Sequence, residues 1–261
     1  LGQSKTGHRH GLRLVTSPMS TSKHSMHPGL EICDLRVSYG ATRALENMEL
    51  SVAAGQSLAL VGGNGAGKST LLKAIAGLLP IDSGSITWEG KAISHRTGVI
   101  AYLPQRESVD WNFPVTVRGL VEMGCYPRVG LLRPFDADND AIVERAVATM
   151  QLEDVQNRQL SELSGGQQQR AFIARSLAQE ARILLLDEPF SGLDKTSQDV
   201  LADQMGSLVA EKDCLIIASH HDLHSVASIF DSALLLMREP VALGPPSEVM
   251  TESNIEKAFS S

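Results

Sequence analysis

"SLALVGGNGAGKSTLLKAIAGLLP", Ser57 to Pro80, changes pattern twice. It opens with "SLALV", an apolar run with the length of a buried strand. It closes with "LLKAIAGLL", whose apolar residues recur at helical spacing up to Pro80. Between them Gly62, Gly63, Asn64, Gly65, Ala66, Gly67, Lys68 and Ser69 fit G-x-x-x-x-G-K-[ST], with Thr70 next. Roughly one chain in a hundred of this length meets that pattern by chance, so the flanking strand and helix decide the reading. Glycines let backbone N–H groups curl around phosphate oxygens without Cβ interference. The following helix points its positive end at the same anion. Lys68 is then placed to reach the β- and γ-phosphates of a nucleotide, and the Ser69 hydroxyl to ligate Mg2+.

A partner for this loop lies far downstream. In "RILLLDEP", Arg182 to Pro189, an apolar strand delivers Asp187 at its carboxyl edge, where open α/β sheets bind ligands. Asp187 is suited to hold Mg2+ through the metal's waters, and Glu188 to polarise an attacking water as general base. An acidic pair ending a strand is often only a solvated turn; the phosphate loop upstream favours the functional reading.

The rest of the chain supplies a rhythm. "LEICDLRVSY" and "ALENMELSV" read as strands, "GSITWEG" as a strand and turn, and "TGVIAYLPQ" as a strand ended by Pro104. The character then turns helical. "PVTVRGLVEMG" is a candidate helix with Pro114 at its start. "DADNDAIVERAVATMQL" is amphipathic, with Ile142, Ala146 and Met150 at helical spacing and acidic residues at its N-terminal end. "QQQRAFIARSLAQE" follows as a third helix. After Glu180 strands and helices alternate: "RILLLDE", "KTSQDVLADQMGSLVAE", "CLIIASHH", "DLHSVASIF" and "SALLLM". That alternation predicts a parallel sheet. The expected division is a disordered tail, 1–29, and one domain, 30–261. Within the domain, a core of 30–103 and 181–261 is interrupted by a helical insertion, 104–180.

Composition narrows the class. A net charge of −7 over 261 residues argues against a general nucleic-acid binder, which needs clustered Lys and Arg. Cys33, Cys125 and Cys214 are odd in number and form no CxxC pair, so reduced thiols in a cytoplasmic protein are expected. No apolar run approaches the roughly 18 to 20 residues of a membrane span. Residues 1–29 lack the apolar core of a signal peptide and read as a polar tail. Their histidines, His8, His10, His24 and His27, offer a metal-binding reading that a plain polar tail also accounts for.

"LSGGQQQR", Leu163 to Arg170, contains no base, nucleophile or metal ligand, yet sets a bare glycine turn and a row of amides before a helix. Together with the phosphate loop, Gln105, the Asp187–Glu188 pair, "SGLD" at Ser191–Asp194 and "HHDL" at His220–Leu223, it makes six ordered motifs. From Leu30 to the C-terminus the sequence resembles the ATP-binding subunits of ABC transporters. The resemblance implies a P-loop NTPase core, an N-terminal antiparallel β portion and an inserted α-helical subdomain. It implies ATP and Mg2+ as cofactors, and a second copy as partner in a head-to-tail dimer with two ATPs between the subunits. "LSGGQ" would act in trans: Ser164 offers a hydroxyl, Gly165 and Gly166 let N–H groups approach the partner's γ-phosphate, and Gln167 completes the motif. Locally, Ser164 is also a plain helix cap. Tyr39 resembles the aromatic that stacks on adenine, and Gln105 would contact Mg2+ or the water and relay the nucleotide state. His221 would touch the γ-phosphate and orient the lytic water, and Asp194 would bridge the subunits. His220, His221 and His224 also suggest a zinc cluster, although their place after a strand favours the phosphate switch. Gly63 stands where many relatives carry Pro, at a position the motif leaves free.

Other ATPases share this chemistry. A translation factor of this type would carry two cassettes and a basic linker. A DNA-repair ATPase would place a long coiled coil between Lys68 and Asp187, where the interval here is too short. The stretch "YLPQRESVDWNFPVTVRGLVEMGCYPRVGLLRP", Tyr102 to Pro134, is similar to the segment after Gln105 in ATPases of manganese/zinc/iron-type importers. That similarity implies a motor on the inner face of the cell membrane, separate integral membrane permease subunits as partners, and indirectly an extracytoplasmic metal-binding protein. Manganese is the first expected cargo, zinc or iron the next, and a ferric siderophore or other small cargo the alternative. Trp111, Phe113 and Val115 also read as ordinary core of the insertion.

Overall fold

The computed structural model describes residues 29–93, 98–129 and 135–260. Residues 1–28 of the expected tail, with its four histidines, and residues 130–134 at the end of the Tyr102–Pro134 stretch lie outside these residues. Strand β1 (Leu30–Tyr39) turns at Gly40 into β2 (Thr42–Val52), then come β3 (Ser57–Val61) and helix α1 (Lys68–Ile75). Strands β4 (Ser83–Trp88), β5 (Lys91–Ala92) and β6 (Ile100–Leu103) follow. The insertion carries α2 (Val117–Met123), α3 (Tyr126–Val129), α4 (Ala137–Thr149) and α5 (Gly165–Ala178). The chain returns through β7 (Ile183–Leu186), α6 (Lys195–Lys212), β8 (Leu215–Ser219), α7 (Val226–Ile229) and β9 (Ser232–Met237). It closes with β10 (Glu239–Gly244), α8 (Pro246–Val249) and α9 (Glu252–Phe259).

Two sheets result. The first is antiparallel, in the order β2-β1-β4-β5, and the second runs β10-β9-β3-β8-β7-β6. In the second sheet β9, β3, β8, β7 and β6 are mutually parallel, and β10 is an antiparallel edge. Strands buried on both faces need apolar residues at every position, which is why "SLALV", "ILLL" and "LIIAS" show no alternation. Their side chains still alternate in destination. Leu58, Leu60, Ile183, Leu185, Ile217 and Leu234 pack against the antiparallel sheet and α1. Ala59, Val61, Leu184, Leu186, Ile216 and Leu235 pack towards the helices on the other face. One sheet thus carries two cores, and the expected α/β architecture with β portion and helical insertion is what forms.

Three local expectations need correction. Helix α1 stops at Ile75, with Ala76 as its cap, and does not run to Pro80. Gly77 takes φ 69, and the Gly77 and Leu78 amides bond back to Ala74 and Lys73, a left-handed C-terminal cap. Helix α2 starts at Val117, with Thr116 as its cap, not at Pro114. The residues before it are held extended, Thr116 bridging to Gln159 and Leu160 donating to the Val115 carbonyl. "DLHSVASIF" gives only the single turn of α7. Asp222 accepts from the His224 amide and the Ser225 hydroxyl, and such side-chain bonds compete with helix formation. The sequence reading also ended before β10, α8 and α9.

Candidate functional site

Four loops leave the carboxyl ends of adjacent parallel strands: Gly62 after β3, His220 after β8, Asp187 after β7 and Gln105 after β6. Backbone bonds stitch these ends together, Asp187 N–H to the Leu103 carbonyl at 2.9 Å and His220 N–H to the Leu60 carbonyl at 3.0 Å. This is the edge at which an open α/β sheet binds its ligand.

The phosphate loop is shaped by close neighbours. A Cβ at Gly62 would lie 2.3 Å from the Leu236 carbonyl oxygen. Gly67, at φ 101, caps α1, and a Cβ there would lie 2.5 Å from Leu45 Cδ2. Only glycine meets both demands. Ala66 is fully buried, whereas Asn64 and Gly65 at the crest are exposed. Ser69 and Thr70 ride in the first turn of α1. Lys68 Nζ donates to the carbonyls of Gly62, 2.8 Å, and Gly63, 3.0 Å. Burial lowers its pKa, and the charges of Glu188 and Asp187 act the other way. The ammonium is thus held over the loop by weak neutral acceptors, with two carboxylates near.

Asp187 is the hub. Its Oδ1 accepts from Ser69 Oγ at 3.1 Å and from Ser219 Oγ at 2.7 Å, and its Oδ2 from Tyr102 OH at 3.4 Å. Burial, then the Asp187 charge, push the Tyr102 pKa far up, so the phenol stays a donor. Ser69 and Asp187 offer adjacent hard oxygens of the kind Mg2+ takes, and these residues fit that ion. Glu188 sits at φ 53, a left-handed position uncommon for its residue type. Its amide donates to Ser219 Oγ at 2.8 Å and its Oε1 accepts from Gln105 Nε2 at 3.1 Å. Lys68, Ser69, Gln105, Asp187 and Glu188 therefore form one constellation.

The two adjacent histidines differ. His221 is exposed. His220 is buried, edge-on to Phe190 and within 2.7 Å of Ser225 Oγ. Among the described residues, no three His, Cys, Asp or Glu side chains gather as a metal site, so the zinc alternative at His220, His221 and His224 finds no cluster. Burial, helped by the neighbouring His221, lowers the His220 pKa, against the Asp222 charge. An unfolded histidine titrates near 6.5. Below that pH the unfolded chain takes up a proton that the fold resists, so stability present above about pH 6.5 is lost as pH falls. His220→Gln is expected to flatten the decline in Tm between about pH 7 and 5.5. Thermal melts of both proteins across that range check it, and parallel declines count against it.

The "LSGGQ" stretch opens α5. Ser164 Oγ accepts from the Gln167 amide and Gln167 Oε1 from the Ser164 amide, a closed capping box. A Cβ at Gly165 would meet Arg106 Nη1 at 2.7 Å, and one at Gly166 would meet Ser197 Oγ at 2.8 Å. The stretch thus lies beside Arg106 and the start of α6, and its described hydrogen bonds do not reach residues 62–70. Asp194 caps α6, accepting from the Ser197 amide and hydroxyl, which lower its pKa. Tyr39 ends β1 with its ring half exposed.

Sequence reasoning missed Ser219, Tyr102 and Arg106. Ser219 comes into view only once strand order is known. Parallel register pairs Leu186 with Ala218, so the next residues, Asp187 and Ser219, are neighbours. Arg106 Nη2 donates to the buried Gln168 at 2.9 Å, its guanidinium lies 5.6 Å from the Trp111 ring centre, and its carbonyl accepts from Trp111 Nε1. Trp111 is a near neighbour in the chain, but Gln168 lies 62 residues away.

Comparison with known proteins gives the family. The family model of the ABC transporter matches residues 45–191. The manganese transport system ATP-binding protein MntB of Listeria monocytogenes is 41% identical, covering 88% of this chain and 95% of that protein. The zinc transport system ATP-binding protein TroB of Treponema pallidum is 39% identical, covering 88% and 86%. The solved structure of cbiO1 from Clostridium perfringens, part of the ABC transporter complex cbiONQ, superposes with a TM-score of 0.75 at 27% identity, covering 88% and 94%. The chain belongs to the ABC transporter family, as an ATP-binding subunit that hydrolyses ATP.

Proposed function

We propose that this chain is the motor of a divalent metal-ion importer, pairing with a second copy around two ATPs and driving separate membrane permease subunits. The observation that carries the coupling is the Gln105–Glu188 bond. The residue that touches the catalytic carboxylate begins the segment whose Phe113 and Tyr126 are 51% and 40% exposed. Exposed aromatics beyond such a relay suit a partner's helix better than solvent. No helix among the described residues is long and apolar enough to cross a membrane, and the permease is assigned to other chains. The cargo rests on the relatives: those carrying manganese and zinc names match this chain almost end to end.

In this reading Lys68 and the amides of residues 62–70 hold the phosphates, with Tyr39 against the adenine. Ser69, Asp187 and Gln105 hold Mg2+, which supplies positive charge at the transferring phosphate when bound. Glu188 takes the proton of the attacking water. His221 orients that water, and the partner's signature residues, from Ser164 to Gln167, close over the γ-phosphate. Asp194, freed from or sharing its cap on α6, meets the partner.

Radiolabelled manganese uptake tests the cargo, in cells carrying wild type or Glu188→Gln, with unlabelled zinc and ferrous iron as competitors. Uptake is expected to fall in the variant, with weak competition by zinc or iron. Strong competition by one of them moves the assignment to that metal. Unchanged uptake overturns the metal reading and leaves the ATPase intact.

A further inference from the structure

Helix α9 ends against the phosphate loop. The Gly63 amide donates to the Ala258 carbonyl at 3.0 Å. The last carbonyls of a helix have no partner within it, and here one of them is supplied from the loop. Ala258 is fully buried, so the helix end is docked, while Phe259 beside it is 40% exposed. The segment is anchored at its other end as well. Thr251 caps α9 through the Asn254 amide, and Asn254 Nδ2 donates to the Val249 carbonyl.

The contact falls on a peptide group that the site uses. The carbonyl of the Gly62–Gly63 peptide accepts from Lys68 Nζ at 2.8 Å, and its N–H is the donor to Ala258. One planar unit is therefore gripped on one edge by the phosphate-binding lysine and on the other by α9. A proline at 63 could not make this bond, having no N–H, and its ring carbon would press on the Ala258 oxygen. A plain side chain is not excluded, since a Cβ at Gly63 would lie 3.6 Å from Phe259 Cα. Relatives with Pro here lack this donor, so the bond to Ala258 is this chain's own means of holding the peptide and not a demand of the loop motif.

We propose that α9 is a clamp on the phosphate loop: by fixing the Gly62–Gly63 peptide it holds the loop in its nucleotide-receiving form and so sets the affinity for ATP. Holding a loop in its bound shape raises affinity by removing an ordering cost from the binding step. Residues 252–259 act here as a positioning element that touches no reacting atom. The inference rests on the reading of residues 62–70 as the phosphate loop.

The test uses the full chain carrying Ala258→Arg, whose side chain cannot enter the buried site, and Gly63→Pro, which removes the donor. ATP binding by calorimetry is expected to weaken about five-fold in each, the worth of one backbone hydrogen bond. Turnover at saturating ATP is expected to stay within about two-fold in Ala258→Arg, because the effect lies in binding. Hydrogen exchange of the Gly63 amide, followed by NMR without nucleotide, is expected to be slow in wild type and at least about ten-fold faster in Ala258→Arg. A folded Ala258→Arg protein with wild-type ATP affinity overturns the clamp. So does a fast-exchanging Gly63 amide in wild type. Should Ala258→Arg not fold, Gly63→Pro decides: unchanged ATP affinity with unchanged protection of the α9 amides overturns the proposal. The exchange measurement needs no nucleotide, so a protected Gly63 amide in a protein whose ATP binding survives Lys68→Ala refutes the phosphate-loop reading and not the contact.

Discussion

Lys68→Ala is expected to cut ATP turnover to background, a loss of roughly a thousandfold, with the fold intact. The ammonium sits on the loop carbonyls with the charges of Asp187 and Glu188 near it. Its bonds to Gly62 and Gly63 are charge-assisted, but burying the ammonium, which lowers its pKa, offsets much of their worth, so melting should move only a few degrees. Removing a charge aimed at a developing phosphate oxygen costs far more, since one neutral donor in such a position is already worth about 10² to 10³ in rate. The alanine also leaves both carboxylates without their cation, which repels the incoming phosphates. Phosphate release at saturating Mg-ATP, alongside a thermal melt, measures both. Normal hydrolysis by Lys68→Ala would sink the assignment of residues 62–70.

Glu188→Gln is expected to bind ATP, to hydrolyse it about 10² to 10⁴ times more slowly, and to accumulate as a dimer. Gln keeps the shape and can still meet Gln105, but it cannot take a proton from water. The backbone bond from the Glu188 amide to Ser219 and the turn from Ser191 back to the Glu188 carbonyl are untouched by the change. The substitution therefore separates chemistry from architecture. Binding closes the proposed sandwich and the missing proton acceptor keeps it closed. Light scattering with saturating Mg-ATP should give about twice the protomer mass for the variant. A mass that stays monomeric counts against the ATP-bridged dimer in the absence of the permease.

Much of the site could be read from the chain because its chemistry is packed into short segments. A loop that wraps a phosphate needs its glycines, lysine and hydroxyl within a few residues. Residues 62–70 therefore announce themselves, as do the Asp187–Glu188 pair at a strand end and the glycine turn at Gly165. The strand rhythm was legible for the same local reason. Helix ends were less so. Pro80 looked like the stop of α1, but Gly77 had already reversed the backbone into a left-handed cap.

The sequence by itself determined the α/β class and named the candidate residues for the chemistry, since motif spacing and apolar period are properties of neighbours in the chain. Tertiary structure alone decided how they meet. That β3, β8, β7 and β6 lie side by side brings Ser219 to Asp187, Tyr102 to the same carboxylate and Gln105 to Glu188. Tertiary structure alone also seats Ala258 on Gly63 and brings Arg106 to Gln168. These contacts join segments whose separation no local pattern records. Hydrogen bonds between distant residues depend on strand order and on buried faces, and those follow from how the two cores close around one sheet.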